Sequence, residues 1–415
     1  MALLHAAAGL RERSLGLVQW RVRALHVHHH LQDAADAAAA LCRSECRRLR
    51  VPLRTVHLRL GALRGESLEA AAREARYAAA RAELATGEAL LTAHHDDDQL
   101  ETLLLQLMRG SGLAGLAGMP ECAPFGRGWH VRPLLGLTRA VLADWANAQQ
   151  LRWVEDASND DPRFARNYLR IEIVPRLRSR WPAASRVAAR AAAHLAEARD
   201  LLAELGQRDL EQIAVGEAVD LAGLAQLSPA RQRNVLRAWL ATRGLRPPDA
   251  QRLERIRTEL PRARPDAEPA VNWGRASVRR HRGLLYAVPE LVAVPRRPLR
   301  WDRAREPQLH LGAGLGHLRL VEDPHGPLAL AKLPRILEVC VRRGGERLRL
   351  EAGGPRRPLK ELLREAGVLP WWRDRLPLIR TAGRVVAVAD LWSDNEFRAG
   401  PRARRRARFE WLPPR

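Results

Sequence analysis

Residues 93–102 read AHHDDDQLET, which places two histidines, three consecutive acids and a further acid in one short segment. The run ALLTA at 89–93 before it has the continuous apolar pattern of a buried strand, and the residues from Asp97 to Met108 follow a helical pattern. The carboxyl end of a strand and the first turn of the next helix meet where open α/β sheets bind their ligands. Asp97, Asp98 and Glu101 are hard oxygen donors suited to Mg²⁺ on a triphosphate, with Asp97 and Asp98 as first choice for the metal. The same acids suit a second task, orienting an amine nucleophile and relieving it of a proton. His95 is their polar neighbour. Read singly, each acid is equally at home complementing the helix dipole.

Other chemistry-bearing residues lie on both sides of this segment. Arg132 and Arg166 are suited to phosphate or to an activated intermediate, because guanidinium matches its geometry. Asn167 and Arg170 belong either to the same wall or to the caps and surface of the next helix. His26, His28 and His30 share one face of a strand while His29 points away, and no further ligands suggest a metal there. Toward the C-terminus Arg342, Arg343, Arg347, Arg356, Arg357 and Lys360 alternate with apolar residues and precede Trp371 and Trp372. Arginines there suit phosphate, whereas the two tryptophans read better as core than as stacking platforms for bases.

These residues need a scaffold. Over the first 180 residues strand patterns (22–27, 51–58, 89–93) alternate with helical ones (36–50, 68–84, 97–108), which predicts an α/β fold with a doubly wound parallel sheet. A long Ala/Leu/Arg helix follows at 185–214, another opens at Ser228-Pro229, and a third covers about 249–260. Prolines at 289, 295, 298, 307, 324, 327 and 334 read as a connector, and the last 80 residues as a small α+β domain. The expected division is 1–182 catalytic, 183–288 helical and substrate-binding, 289–333 connector, and 334–415 C-terminal. With 415 residues, two or three domains are expected.

The net charge of +23 favours a polyanionic partner, and Arg402 to Arg408 (RARRRAR) is a local basic tract. Lysine occurs only at 332 and 360, a bias toward arginine that genome composition alone can produce; the excess of bases over acids is a separate matter. No apolar run is long enough for a membrane span. Cys42, Cys46, Cys122 and Cys340 make no C-x-x-C pair, which argues against a zinc site or a disulfide framework and for a reducing compartment.

The string H-x-D-D-Q-x-E-T at 95–102, followed by RGSG at 109–112, resembles the catalytic core of the tRNA(Ile)-lysidine synthases, members of the N-type ATP pyrophosphatase family. The likeness continues in VHH (27–29), EAAAREARY (69–77), RPLL (132–135), EDASN (155–159) and RNYLR (166–170). RRGGER (342–347), RPLK (357–360) and PWWRDR (370–375) resemble the family's C-terminal domain. The resemblance implies a cytoplasmic ligase that adenylates C2 of the wobble cytidine of CAU-anticodon tRNA(Ile). Free L-lysine then displaces AMP, and the lysidine formed converts AUG to AUA reading. It implies ATP and Mg²⁺ as cofactors and no membrane, and it is compatible with a homodimer. On this reading His95, Asp97, Asp98, Glu101, Arg132 and Arg166 are catalytic, and Val27, His28, Arg109 and Gly110 line the ATP site. Asn167, Arg170, Arg342, Arg343, Arg357 and Lys360 contact tRNA.

The family's S-G-G-x-D-S loop, whose backbone amides cradle phosphates, does not occur as a string in this sequence. Met1-Ala2-Leu3-Leu4-His5 resembles the helix start that follows that loop. The expectation is therefore a chain truncated at its N-terminus, from an internal start codon, with its ATP binding in question. Two alternatives stand beside the ligase: a non-catalytic tRNA-binding remnant, and another tRNA-modifying pyrophosphatase such as a thiolation enzyme. The lack of C-x-x-C counts against the second.

Overall fold

The computed structural model describes residues 1–13, 21–28, 34–58, 66–154, 161–264, 267–291, 293–295, 297–312 and 314–412, in two compact units, Met1–Leu205 and Gly206–Arg415. His29, His30 and the EDASN string at 155–159 lie outside the described residues.

The first unit opens with helix α1 (Ala2–Arg13). Branched and aromatic-rich runs then form β1 (Ala24–His28) and β2 (Leu53–His57), paired in parallel with Val27 opposite Val56. A parallel pair requires a crossover, which is α2 (Ala34–Arg48), with Ala39 and Cys46 buried. Next come α3 (Glu66–Glu83), β3 (Ala89–Leu91), α4 (Asp96–Met108) and a short α5 (Leu113–Leu116). β4 (Cys122–Phe125) and β5 (Gly128–Val131) form a hairpin; β5 runs parallel to β3, with Ala89 opposite Trp129. At four residues each, these two strands are too short to announce a period in the sequence. Among the described residues the two parallel pairs form separate sheets, tied at one end by Arg23, whose Nε donates to Glu88 at 3.1 Å.

The unit continues with α6 (Arg139–Ala148), capped by Thr138, and α7 (Ala165–Tyr168). A five-residue π-helical turn, Leu169–Ile173, leads directly into α8 (Val174–Arg180) and then α9 (Ala184–Ile213). Buried apolar residues here are mostly small, such as Ala8, Ala39, Ala72, Ala80, Ala146 and Ala192. Larger ones gather where Leu100 meets Val174, backed by Leu103 and Leu104. Each alanine removes little apolar area from water, so the hydrophobic term holding these helices in place is modest.

In the second unit β6 (Ala214–Val215) and β7 (Ala218–Asp220) precede α10 (Leu221–Gln226), α11 (Pro229–Thr242) and α12 (Ala250–Arg262). β8 (Ala270–Trp273), β9 (Ala276–His281) and β10 (Leu284–Pro289) complete a five-stranded sheet ordered β6-β7-β10-β9-β8. The expected helices lie on this sheet: Leu236, Trp239, Leu253 and Ile256 pack on Val271, Val278 and Leu285.

The stretch 289–333 is more than a connector, which corrects that expectation. It supplies β11 (Leu299–Asp302), β12 (Gln308–His310), β13 (His317–Glu322) and β14 (Leu328–Ala329). They join β15 (Ile336–Val341), β16 (Arg347–Leu348), β17 (Arg357–Pro358), β18 (Pro377–Thr381), β19 (Arg384–Val388), β20 (Trp392–Ser393) and β21 (Arg406–Leu412). β11 pairs with β15, and β13 with β21, so the supposed connector is woven into both larger sheets of the C-terminal module. Pro289 ends β10, and the other prolines of the stretch stand between strands, where no ladder hydrogen bond is lost; that spacing imitates a linker in the sequence. Trp371 is core-like, as expected: it packs on Tyr286 at 5.3 Å between ring centres, with Arg279 over its face at 5.7 Å.

One close approach fixes how β5 sits beside β3. A Cβ at Gly128 would stand 2.1 Å from the Glu88 carbonyl oxygen, a backbone atom that cannot swing away. Gly128→Ala is therefore expected to destabilise the first unit by about 1–3 kcal/mol. A lower urea midpoint for that unit would be the observable, and an unchanged midpoint would contradict the packing.

Candidate active site

α4 starts at Asp96 with His95 as its N-cap residue in extended conformation (φ −129°, ψ −179°). The backbone N–H of His95 donates to Asp98 Oδ2 at 3.0 Å, so one Asp98 oxygen closes the helix end. Asp96, Asp97, Asp98, Gln99 and Glu101 are all buried, which is rare for acids unless each has partners.

The partners differ sharply. Glu101, 1% exposed, accepts from Arg166 Nε at 2.8 Å and from Arg170 Nε and Nη2 at 2.8 and 2.9 Å. Arg170 also reaches Asp98 Oδ1 at 3.3 Å, and Arg166 reaches the Asp98 carbonyl and Thr102 Oγ1 at 3.4 and 3.3 Å. Arg166 lies on α7 and Arg170 in the π turn, one helical turn apart on one face, so both forks converge on a single carboxylate. Asp97 accepts from Ser185 Oγ of α9 at 2.7 Å and pairs with Arg178 of α8. Asp96 is different again: its Oδ1 is buried and makes no hydrogen bond among the described residues, and burial raises its carboxyl above the usual range. Gln99 uses both ends of its amide on Met119, at 2.7 and 2.8 Å, pinning the chain after α5.

A second polar chain leaves the end of β3. Thr92 Oγ1 lies 2.7 Å from His94 Nδ1 and 2.8 Å from His130 Nε2, while Arg132 Nη2 is 3.0 Å from His130 Nδ1. Arg132 Nη1 donates to the Pro120 carbonyl at 2.7 Å. Burial, reinforced by arginines, depresses both histidines to about 4; for His94 it is opposed by Asp98.

The sequence-derived residues thus divide. His95, Asp98, Glu101, Arg166 and Arg170 come together around α4's first turn, with Asp97 on its other flank. Arg170, expected on tRNA, is instead a partner of Glu101 and Asp98. Arg132 faces His130. The donor group suited to a cation is His95, Asp96 and Asp97, whose ligand atoms lie within 4.8 Å of one another. Asp98, expected to share the metal with Asp97, is instead engaged by Arg166, Arg170 and the His95 amide. Asn167 Nδ2 donates to the Asp161 carbonyl at 3.0 Å. Val27 and His28 end β1, with His28 Nε2 3.0 Å from Asp36. Arg109 and Gly110 are exposed where α4 ends, Gly110 at φ +65°. In the second unit Arg342 pairs with Asp374 at 3.0 Å and Arg357 with Glu365, while Arg343 and Lys360 are exposed.

Sequence reasoning missed Asp96, Thr92, His94, His130, Arg178 and Ser185 as members of these networks. Asp96 occupied the variable position of the recognised string and passed as filler. Thr92 and His94, two apart at a strand end, were a usable signal; Ser185 and Arg178 gave none, being polar residues on ordinary helices.

A PP-loop domain model matches residues 1–177, a TilS substrate-binding domain model residues 220–286, and a TilS C-terminal domain model residues 337–411. A tRNA(Ile)-lysidine synthase of Pseudomonas aeruginosa is 45% identical over 424 residues, covering 99% of this chain and 90% of its own. Its counterparts in Alkalilimnicola ehrlichii and Coxiella burnetii are 44% and 40% identical, covering 96% and 93% of this chain and 88% and 85% of theirs. The match of the PP-loop domain to residues 1–177 corrects the expectation of an N-terminally truncated catalytic domain lacking its nucleotide-binding capacity. The S-G-G-x-D-S string itself does not occur in the sequence.

His130 offers a check that needs no substrate. Its folded value, about 4, lies below the ordinary 6.5, so between these values the unfolded chain binds the additional proton. Its contribution to stability is therefore present above pH 6.5 and is lost as pH falls toward 4. His130→Asn should flatten the acid-side slope of the first unit's melting temperature in that window. A slope that is the same with and without His130 would contradict its burial as a neutral ring.

Proposed function

This chain belongs to the tRNA(Ile)-lysidine synthase family, and from that membership we infer that its PP-loop domain activates a cytidine of tRNA(Ile) with ATP and joins lysine to it. It is an ATP-dependent, lysidine-forming ligase. The cytidine O2 attacks the α-phosphorus of ATP and pyrophosphate leaves; the amine of free lysine then attacks C2, and AMP leaves with O2. Such chemistry needs positioning and charge neutralisation more than covalent help. The observation that carries the assignment of this site is the buried acidic first turn of α4, held by Arg166 and Arg170 at the carboxyl end of β3.

Within it the roles follow from the partners each acid has. Asp96 and Asp97, with His95, would hold Mg²⁺, since Asp96 keeps a buried oxygen without a partner and the three donor atoms cluster. That ion, when bound, neutralises triphosphate charge. Asp98 and Glu101 keep the two arginines on the wall of the site. No described helix is long and apolar enough to cross a membrane. The deciding experiment is incorporation of labelled lysine into tRNA(Ile) with matching pyrophosphate release. Release of pyrophosphate without lysine transfer, or transfer to any tRNA alike, would defeat the reading.

The C-terminal module is proposed to contact tRNA phosphates, supported by its basic surface. Arg343 and Lys360 are exposed on this module and are the contacts proposed. Converting both to glutamine should weaken tRNA binding and lower the slope of log affinity against log salt by about 1 per lost phosphate contact. An unaltered slope would remove these two residues from the interface.

A further inference from the structure

Arg132, His130, Thr92 and His94 form a hydrogen-bond chain whose direction is fixed by its first member. A guanidinium can only donate, so the 3.0 Å contact from Arg132 Nη2 makes His130 Nδ1 an acceptor. A neutral ring that accepts at Nδ1 carries its hydrogen on Nε2, and this nitrogen lies 2.8 Å from Thr92 Oγ1. Thr92 therefore accepts from His130, which leaves its own hydroxyl hydrogen to give away. His94 Nδ1, at 2.7 Å, is the acceptor it meets among the described residues. With that hydrogen given to His94 Nδ1, a neutral His94 ring would carry its own on Nε2. His130 is buried, at 3% exposure, and its ring packs in a triangle with Tyr77 and Phe125, at 5.6 and 5.7 Å between centres, so its position is held away from solvent. Arg132 is held in turn by the Pro120 carbonyl at 2.7 Å.

We propose that Arg132, His130 and Thr92 are positioning residues that, through this hydrogen-bond chain, lock His94, beside the acidic turn of α4, in the tautomer that presents Nε2–H as a donor toward substrate. This rests on the ligase reading for its substrate but on geometry for the lock itself. Arg132 accordingly acts through two intervening side chains and does not meet phosphate. A fixed donor at the strand end suits the developing charge on an oxygen of the activated nucleotide or its leaving phosphate, and a ring free to exchange tautomers would present an acceptor there for part of the time.

The test separates the lock from the ligase. In the full chain labelled with ¹⁵N-histidine, both rings should show protonated Nε2 and bare Nδ1 at neutral pH. Thr92→Val removes the hydroxyl at nearly constant volume; in that variant His94 should show mixed tautomers while His130, still held by Arg132, keeps its own, and Thr92→Ser should restore the wild-type pattern. In lysidine formation Thr92→Val should lower kcat at least tenfold, about 1.4 kcal/mol in the barrier. KM for ATP and tRNA should stay within about twofold, and Thr92→Ser should recover most of the rate. Protonated Nδ1 on either ring of the wild type overturns the proposal, as does an unchanged His94 tautomer in Thr92→Val. An altered tautomer with full kcat overturns the functional half. If the wild type transfers no lysine at all, the ligase reading fails, and the wild-type and Thr92→Val spectra still decide the lock. Should Thr92→Val fail to fold, Arg132→Met, which removes the single donor to His130 Nδ1, takes its place: both His130 and His94 should then show mixed tautomers, and unchanged tautomers on both rings overturn the proposal.

Discussion

A carboxylate at 1% exposure cannot remain charged in a protein interior unless its lost hydration is replaced, and Glu101 has that replacement from two arginine forks. Both arginines belong to the segment after residue 160, across α7 and the π turn. The pairing therefore dictates where that segment lies relative to α4. Elsewhere in this unit the buried apolar residues are largely alanines, and the larger cluster around Leu100 is small. Polar closure carries a greater share of the positioning than it would in a leucine-rich core, and the π turn stands at the point of closure, as such turns often do at functional sites.

From that constraint the differing fates of four acids in the first two turns of α4 follow. Glu101 and Asp98 are neutralised by Arg166 and Arg170. Asp97 is bound sideways to Ser185 and Arg178 on α8 and α9. Asp96 Oδ1 is buried without a hydrogen bond among the described residues, and burial raises its carboxyl against the opposing pull of Arg178 and Arg186. One short acidic string thus yields two structural anchors, one cross-brace and one carboxylate left available for a ligand. The second unit works differently: its cores of Leu, Ile, Val and Trp need no such polar closure.

Much of this was legible beforehand. Strands at 22–27, 51–58 and 89–93 and helices at 36–50, 68–84, 97–108 and 185–214 fall within a few residues of β1, β2, β3, α2, α3, α4 and α9, because continuous apolar runs and amphipathic stripes are long enough to read. The acidic turn was located from its string. Its internal division was not, since partners such as Arg178 and Ser185 lie some 80 residues away and are set only by tertiary packing. The His130–Thr92 bond joins two strands paired in parallel, and the hairpin holding His130 is too short to predict. Prolines between short strands read as a linker because the pairing of β11 and β13 with strands far along the chain leaves no local mark. The absent phosphate-loop string misled in another way: one missing motif was given more weight than the likeness of residues 1–177 to a PP-loop domain.

The central claim is that Glu101 and Arg170 stabilise each other's burial and thereby hold the acidic turn in shape. A double-mutant cycle on the unfolding free energy of the first unit tests it directly, with Glu101→Gln, Arg170→Met and the pair combined. The predicted result is a coupling of about 2 kcal/mol, with the double variant losing clearly less than the two single losses added together. Additive losses, agreeing within about 0.5 kcal/mol, would show that the two side chains are neighbours without being mutually dependent, and would contradict the account.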